Sequence, residues 1–392
     1  MATSTAPSLD LDLWSDTVLH DPWPHYRAIR DTGPAVRLEH DLYDVYAVGR
    51  YEDAREALRH WELFSSAQGV GFNELMNEAM QGTVVGADPP EHDLLRGVML
   101  DRLKLSEVRE LTAMVQEKAD LLVAELLDGG EFDAVSDLAE RLVPTVVGQL
   151  VGISGEVLDK FAHGGDKFFA VAGPPNEQLD EGFPVVLELL QLIGSLTKAD
   201  MAPGSMGWDL YDAAERGEIP EDMCTTLLWN YVGPGFDTTI NAIGSTIWML
   251  ARDPEQWKAL KADPSLVPGV VNEGVRMESP IQIWSRWTTR DADVDGVTIP
   301  EGSRVALLLG SANRDERHYP DPDHFDVHRN PADHVAFGQG IHLCVGAPLA
   351  RAEVAATLNA LVHQVTTLEC GEPLRRINNT TRGLRHLPVT VS

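Results

Sequence analysis

Phe337-Gly338-Gln339-Gly340-Ile341-His342-Leu343-Cys344-Val345-Gly346 is the stretch that decides how this chain is read. A lone cysteine is more often a small buried hydrophobe than a ligand. Here two glycines let the backbone turn tightly and bring amide N–H groups close to the sulfur. A helical pattern begins at about Val345, so Cys344 stands at a helix entrance. N–H donors and a helix N-terminus both stabilise a thiolate there. Zinc would need further ligands, and no Cys-x-x-Cys pair or second His-Cys cluster supplies them. A single thiolate in a glycine-rich loop before a helix is what an axial haem ligand needs.

The chain around this loop has 392 residues, 43% hydrophobic and 23% charged, ordinary for a well-cored globular protein. Its 31 Lys and Arg against 61 Asp and Glu leave a net charge of −30. Such an acidic chain is poorly suited to nucleic acid or anionic lipid. Three cysteines, Cys224, Cys344 and Cys370, build no disulfide framework, and the odd count suggests a reducing compartment. The first residues lack the basic and apolar regions of a signal peptide. No apolar run approaches the ~20 residues that span a bilayer. A cytoplasmic protein is expected, with neither nucleic acid nor membrane as partner.

Outward from the loop, the pattern is mainly α with a smaller β portion. Residues 1–20 read as a flexible leader, and 21–392 as a single domain. Alternation in AVRLEH and LYDVYAVG predicts a small sheet. Residues 65–90 read as a long loop with one short helical insert. Asp253-Pro254-Glu255-Gln256 is a helix start, with Asp as N-cap and Pro at the first turn. Helical periodicity runs from about Glu221 to Ala251 but is interrupted by Gly233-Pro234-Gly235. Proline cannot donate to the carbonyl four residues back, and its ring clashes there. Either the helix ends here, or it kinks and continues; the pattern resuming at Asn241 favours the kink.

FGQGIHLCVG is similar to the haem-binding signature of the cytochromes P-450. Glu273-Gly274-Val275-Arg276 resembles that family's Glu-x-x-Arg helix motif, whose spacing puts both side chains on one helical face. Phe325-Asp-Val-His-Arg329 follows, and in the family this arginine joins the pair. The resemblance implies a single large P-450 fold enclosing haem b, with Cys344 as the axial ligand and Phe337 and Gly338 against the cofactor. It implies propionate partners at His92, Arg96, Arg286 and His342. The interrupted helix becomes the oxygen-binding groove, where Asp237 and Thr238 match the acid-alcohol pair that delivers protons during dioxygen activation. Pro234 departs from the Ala or Gly usual before the groove glycine. O2 and an electron donor, a ferredoxin or a flavin/iron–sulfur reductase, are the implied partners. The donor would dock behind Cys344, at Arg102, Lys104 and Arg351.

SSAQGVGFNE, AGPPNE, LLGSANRD and INNTTRGLRHLP resemble one branch of the family, bacterial enzymes that O-demethylate para-substituted benzoates. On that resemblance Gln68, Phe169, Asn230, Ile281 and Trp284 line the substrate pocket, with Ile283 beside them. The branch places carboxylate-binding arginines where this chain has Gln68 and Trp229. An unpaired buried carboxylate is costly, whereas Gln68, Asn73 and Asn230 can hydrogen-bond a phenol or ether. The expected substrate is a neutral guaiacol or alkylguaiacol, demethylated with release of formaldehyde. A 4-methoxybenzoate-type demethylase or a hydroxylase of another small aromatic is the alternative. A peroxide-driven enzyme and a haem sensor without turnover are the others, and the acid-alcohol pair argues against both.

Overall fold

The computed structural model describes residues 4–101 and 105–392. Its centre is the helix Asp237–Ala251, all but two of whose fifteen residues are buried. A helix buried nearly all round belongs in the middle of a fold. Val267–Glu278, Ala347–Gln364 and the strand Gly383–His386 pack around it, and Ala347–Gln364 lies along Leu105–Leu127. Beside this helical body stands a five-stranded sheet. Its order is Val36–His40, Tyr43–Val48, Arg304–Leu308, Ile283–Thr288, Phe64–Ser65. Tyr43–Val48 and Arg304–Leu308 run parallel, with Tyr46 opposite Val305; the other pairings are antiparallel. Side chains two apart on a strand share a face. Ile283–Thr288 therefore turns Trp284 and Arg286 to one side, and both line the cavity described below.

The Glu-x-x-Arg pair is fully buried. Arg276 Nε and Nη2 donate to Glu273 at 2.7 and 2.9 Å, and Nη1 donates to the carbonyls of Asn313 and Pro322. Arg329 Nη1 adds a bond to Glu273 at 2.8 Å. A buried ion pair is tolerable only when its remaining donors are satisfied in this way. The triad ties the helix Val267–Glu278 to the irregular segment that leads into the cysteine loop.

Two expectations are corrected. Residues 4–20 are not a flexible leader. Ser4–Thr5 pairs in parallel with Val297 and Thr298, and Leu13, Trp14 and Val18 are buried. Trp14 packs edge-on against Tyr43 and Phe72, each at 4.6 Å between ring centroids, and its Nε1 donates to Asn379 O at 2.9 Å. An aromatic anchor outweighs the polar residues around it. The interrupted helix does not simply kink. It stops at Val232 and restarts at Asp237, with turns over 233–236. Gly235 N–H falls back to Val232 O, one residue tighter than the α-helical bond.

Candidate active site

The cysteine loop closes on itself where Cys344 N–H donates to Phe337 O at 2.8 Å. Gly338 and Gly340 take left-handed φ angles of 73° and 68°. A Cβ on Gly340 would also lie 2.8 Å from Leu58 O, so only glycine fits. The helix Ala347–Gln364 begins three residues after the cysteine. Burial pushes the Cys344 thiol up from its ordinary value, while the N–H groups of Gly346 and Ala347 and the guanidiniums of Arg96 and Arg351 pull it back down. Among the described residues, no group of three or more His, Cys, Asp or Glu side chains is placed to hold an ion.

The Cys344 side chain opens into a cavity of about 280 Å³. Eleven residues named from the sequence line it: Arg96, Phe169, Asn230, Thr238, Ile281, Trp284, Arg286, Phe337, Gly338, His342 and Cys344. His92 stands just behind the wall, its ring edge-on to His342 at 4.7 Å between centroids. Burial, then the charge of Arg286, push the His342 imidazole down to about 2, so it is neutral. Burial also lowers the Arg286 guanidinium, to about 10. The Nε2 atoms of His92 and His342 are buried without a partner among the described residues. Orphaned buried ring nitrogens call for a hydrogen-bonding group from outside the chain. Two guanidiniums and two imidazoles converging near Cys344 would suit the carboxylate-bearing edge of a haem, with Cys344 the residue that would hold its iron.

Thr238 lines the cavity, and its hydroxyl donates to Pro234 O at 3.0 Å, the carbonyl freed by the helix break. Asp237 does not line it. Its Oδ2 accepts from Asn241 Nδ2 at 2.9 Å and its Oδ1 from Arg376 Nη1 at 2.8 Å. Arg376 Nη2 in turn reaches Glu140, at 3.2 Å, on the surface. Burial raises the Asp237 carboxyl to about 6, against the opposing pull of Arg376.

The cytochrome P-450 family model matches residues 209–384. The chain is 36% identical to cytochrome P-450 CYP199A2 of Rhodopseudomonas palustris, over 98% of this chain and 95% of that protein. The chain belongs to the cytochrome P-450 family. It is also 31% identical to the P-450 monooxygenase PikC of Streptomyces venezuelae, over 99% of this chain and 95% of that protein. The solved structure of CYP109Q5 from Chondromyces apiculatus superposes with a TM-score of 0.77 at 29% identity, covering 98% of each chain. This P-450 is thus a monooxygenase that uses O2 and a redox partner, and its cofactor is haem b held by a cysteine thiolate. Of its cysteines, Cys224 is buried against Leu210 O and Cys370 lies on a strand of a separate sheet; neither lines the cavity. No helix among the described residues is long and apolar enough to cross a membrane.

Four substrate-pocket expectations fail. Ile283 alternates with Trp284 on its strand, so it faces away from the cavity and is buried with Tyr26, Leu38 and Ala306. Gln68 is exposed at a turn closed by Gly69 N–H to Ser66 O, and it does not line the cavity. Asn73 spends its amide on Val171 O, Gly173 O and the N–H of Met76, leaving nothing for a ligand. Trp229 is packed among Phe161 and Phe168, outside the lining. The proposed docking residues Arg102 and Lys104 lie outside the described residues. Arg351 is partly exposed beside Cys344 and also lines the cavity, with its guanidinium 4.4 Å from the Phe337 ring centroid. Sequence reasoning missed two groups. Arg376 holds Asp237 from the far end of the chain, and no local pattern announces it. Glu353 lines the cavity with Oε1 unpartnered, and burial raises its carboxyl well above the ordinary range. The signal was there: one acid in the run AEVAATLNALV, on the helix that starts at the cysteine loop.

Proposed function

We propose that this P-450 oxidatively O-demethylates a small, neutral, para-substituted methoxyaromatic of the guaiacol type, with Cys344 as axial thiolate. One observation carries the reading. Away from the cysteine loop the cavity is lined by the apolar Phe169, Ile281 and Trp284 and carries a single side-chain amide, Asn230, while the cationic lining residues keep to the cysteine loop. Arg96 donates to Leu343 O, Arg286 neighbours His342, and Arg351 covers Phe337. The neutrality argument therefore stands on the placement of these charges, not on Gln68 or Trp229. Asn230 Nδ2 is committed to Thr226 O at 2.9 Å, which leaves Oδ1 to accept a phenolic O–H. A carboxylate would find no guanidinium or ammonium there to balance its charge.

The bound haem supplies the centre at which O2 is reduced and one oxygen atom is inserted into a C–H bond of the methyl group. The chain's residues do the rest. Phe169, Ile281 and Trp284 hold the ring and exclude water. Thr238 presents a hydroxyl to the cavity. Asp237, whose carboxyl burial raises to about 6, takes up and passes on the proton that replenishes it. Arg376 and Glu140 link that carboxyl to solvent. The hydroxylated methyl is a hemiacetal, which collapses to a catechol and formaldehyde. The balance is one methoxyarene, one O2, two electrons and two protons to one catechol, one formaldehyde and one water. A ferredoxin or a flavin/iron–sulfur reductase in the cytoplasm is the proposed electron source.

Paired Soret titrations test the pocket. Wild type should bind 4-propylguaiacol more tightly than 4-methoxybenzoate. Asn230→Leu should weaken the guaiacol about tenfold, as expected for one lost hydrogen bond. Tight binding of the benzoate with no response to the guaiacol would overturn the reading.

A further inference from the structure

The segments that surround Phe169 are joined by an unusual run of hydrogen bonds. Helix ends leave carbonyls without intrahelical partners. At the end of Gly155–Ala170, five consecutive carbonyls are taken by donors from two distant stretches. Thr380 Oγ1 donates to Phe169 O at 2.8 Å, and Asn379 Nδ2 to Ala170 O at 2.6 Å. Asn73 Nδ2 serves both Val171 O and Gly173 O, at 2.7 and 2.6 Å. Phe72 N–H donates to Ala172 O at 2.8 Å. Asn379 also exchanges hydrogen bonds with Asn176. The fit is close: a Cβ on Gly173 would lie 2.4 Å from the Asn379 side chain. The 70–73 stretch is itself fastened to the sheet, where Gly71 O accepts from Ser285 Oγ and Arg304 Nη1. Ser285 adjoins Trp284, whose ring stands 6.2 Å from that of Phe169.

We infer that Asn73, Asn379 and Thr380 are positioning residues that lock Phe169 into the cavity wall and so set the largest molecule the haem pocket admits. None of the three lines the cavity; they act through the backbone that carries Phe169. With the clamp intact, the segment opens rarely, and a bulky ligand binds only to that minor open state. Its apparent Kd is then the intrinsic value divided by the open fraction. A ligand small enough for the closed pocket gains nothing from opening. Removing one hydrogen bond should raise the open fraction about tenfold.

This inference needs haem at Cys344 but not the methoxyaromatic reading, so its test uses nitrogen ligands of the ferric iron. Haem-loaded wild type, Thr380→Val and Asn379→Ala are titrated with imidazole and with 1-tritylimidazole, read by the Soret shift. Imidazole affinity should stay within about twofold. The trityl ligand should bind about tenfold more tightly to Thr380→Val and more tightly still to Asn379→Ala. Trityl affinity unchanged in the variants, or both ligands shifting by the same factor, would overturn the inference. Should Asn379→Ala fail to retain haem, Thr380→Val decides alone by the same criteria. Loss of the guaiacol reading would leave these affinities where they are.

Discussion

Asp237 and Thr238 are neighbours in sequence that face different surroundings, and the division of labour follows from that. Thr238 stands at the cavity, while Asp237 is sealed behind it with Arg376 and Asn241. Thr238→Ala should bind substrate normally yet divert reducing equivalents to hydrogen peroxide, measured as peroxide formed per NADH consumed. Asp237→Asn should slow turnover by removing the ionisable member of the relay. Its stability should move the other way. Burial raises this carboxyl from 3.8 to about 6. The native state thus favours the protonated form, a contribution complete below about pH 4 and lost as the pH rises through about 6. Above that pH Asp237→Asn should be more stable than wild type, by up to about 3 kcal/mol. The gap should close below about pH 4 in urea melts followed at several pH values. A gap that is absent at pH 7 would show that Arg376 fully compensates the buried charge. At this scale the sequence was informative where spacing is local, as in the cysteine loop. It misled at Gln68, because which way a loop residue points depends on a turn set by neighbours. Gly69, for one, packs so close to Asn77 that a Cβ would lie 2.2 Å from its side chain.

Elements were legible in proportion to how local their causes are. Asp253 caps the helix Pro254–Ala262 by accepting from the N–H groups of Glu255 and Gln256, as its sequence predicts. The helix break at 233–236 follows from Pro234, although the resuming apolar pattern in the sequence favours a kinked, continuous helix. The N-terminal segment was illegible because Trp14 finds its partner in Asn379, 365 residues away. The helix Val267–Glu278 shows what a buried element demands. Glu273 and Arg276 are both fully buried, and removing one leaves the other uncompensated. Glu273→Ala should cost about 3–5 kcal/mol. Arg329→Ala should cost less, because Arg329 is partly exposed and Glu273 keeps Arg276. Thermal melts with haem absorbance as a second signal would check this order. Equal losses would show that the three side chains act as one unit.

The whole molecule carries a charge of −30, which would repel an acidic electron donor unless the docking face is locally different. Leu343 is exposed beside Cys344, with Arg96 bonded to its carbonyl and Arg351 close by. That combination of apolar contact and guanidinium charge suits a small acidic redox protein. Arg351→Glu should slow reduction by a ferredoxin at low salt and flatten its dependence on ionic strength. Stopped-flow reduction across a salt series measures both, and unaltered kinetics would move the docking face elsewhere. The fold and the cysteine site rest on such global coherence, with motifs in register along nearly the whole chain. The substrate rests on a few wall residues, and one measurement reaches it directly. Under air, with reductant and a ferredoxin system, 4-propylguaiacol should yield formaldehyde and 4-propylcatechol in equal amounts, and Cys344→Ser should yield neither. Consumption of 4-methoxybenzoate with no formaldehyde from the guaiacol would contradict the account.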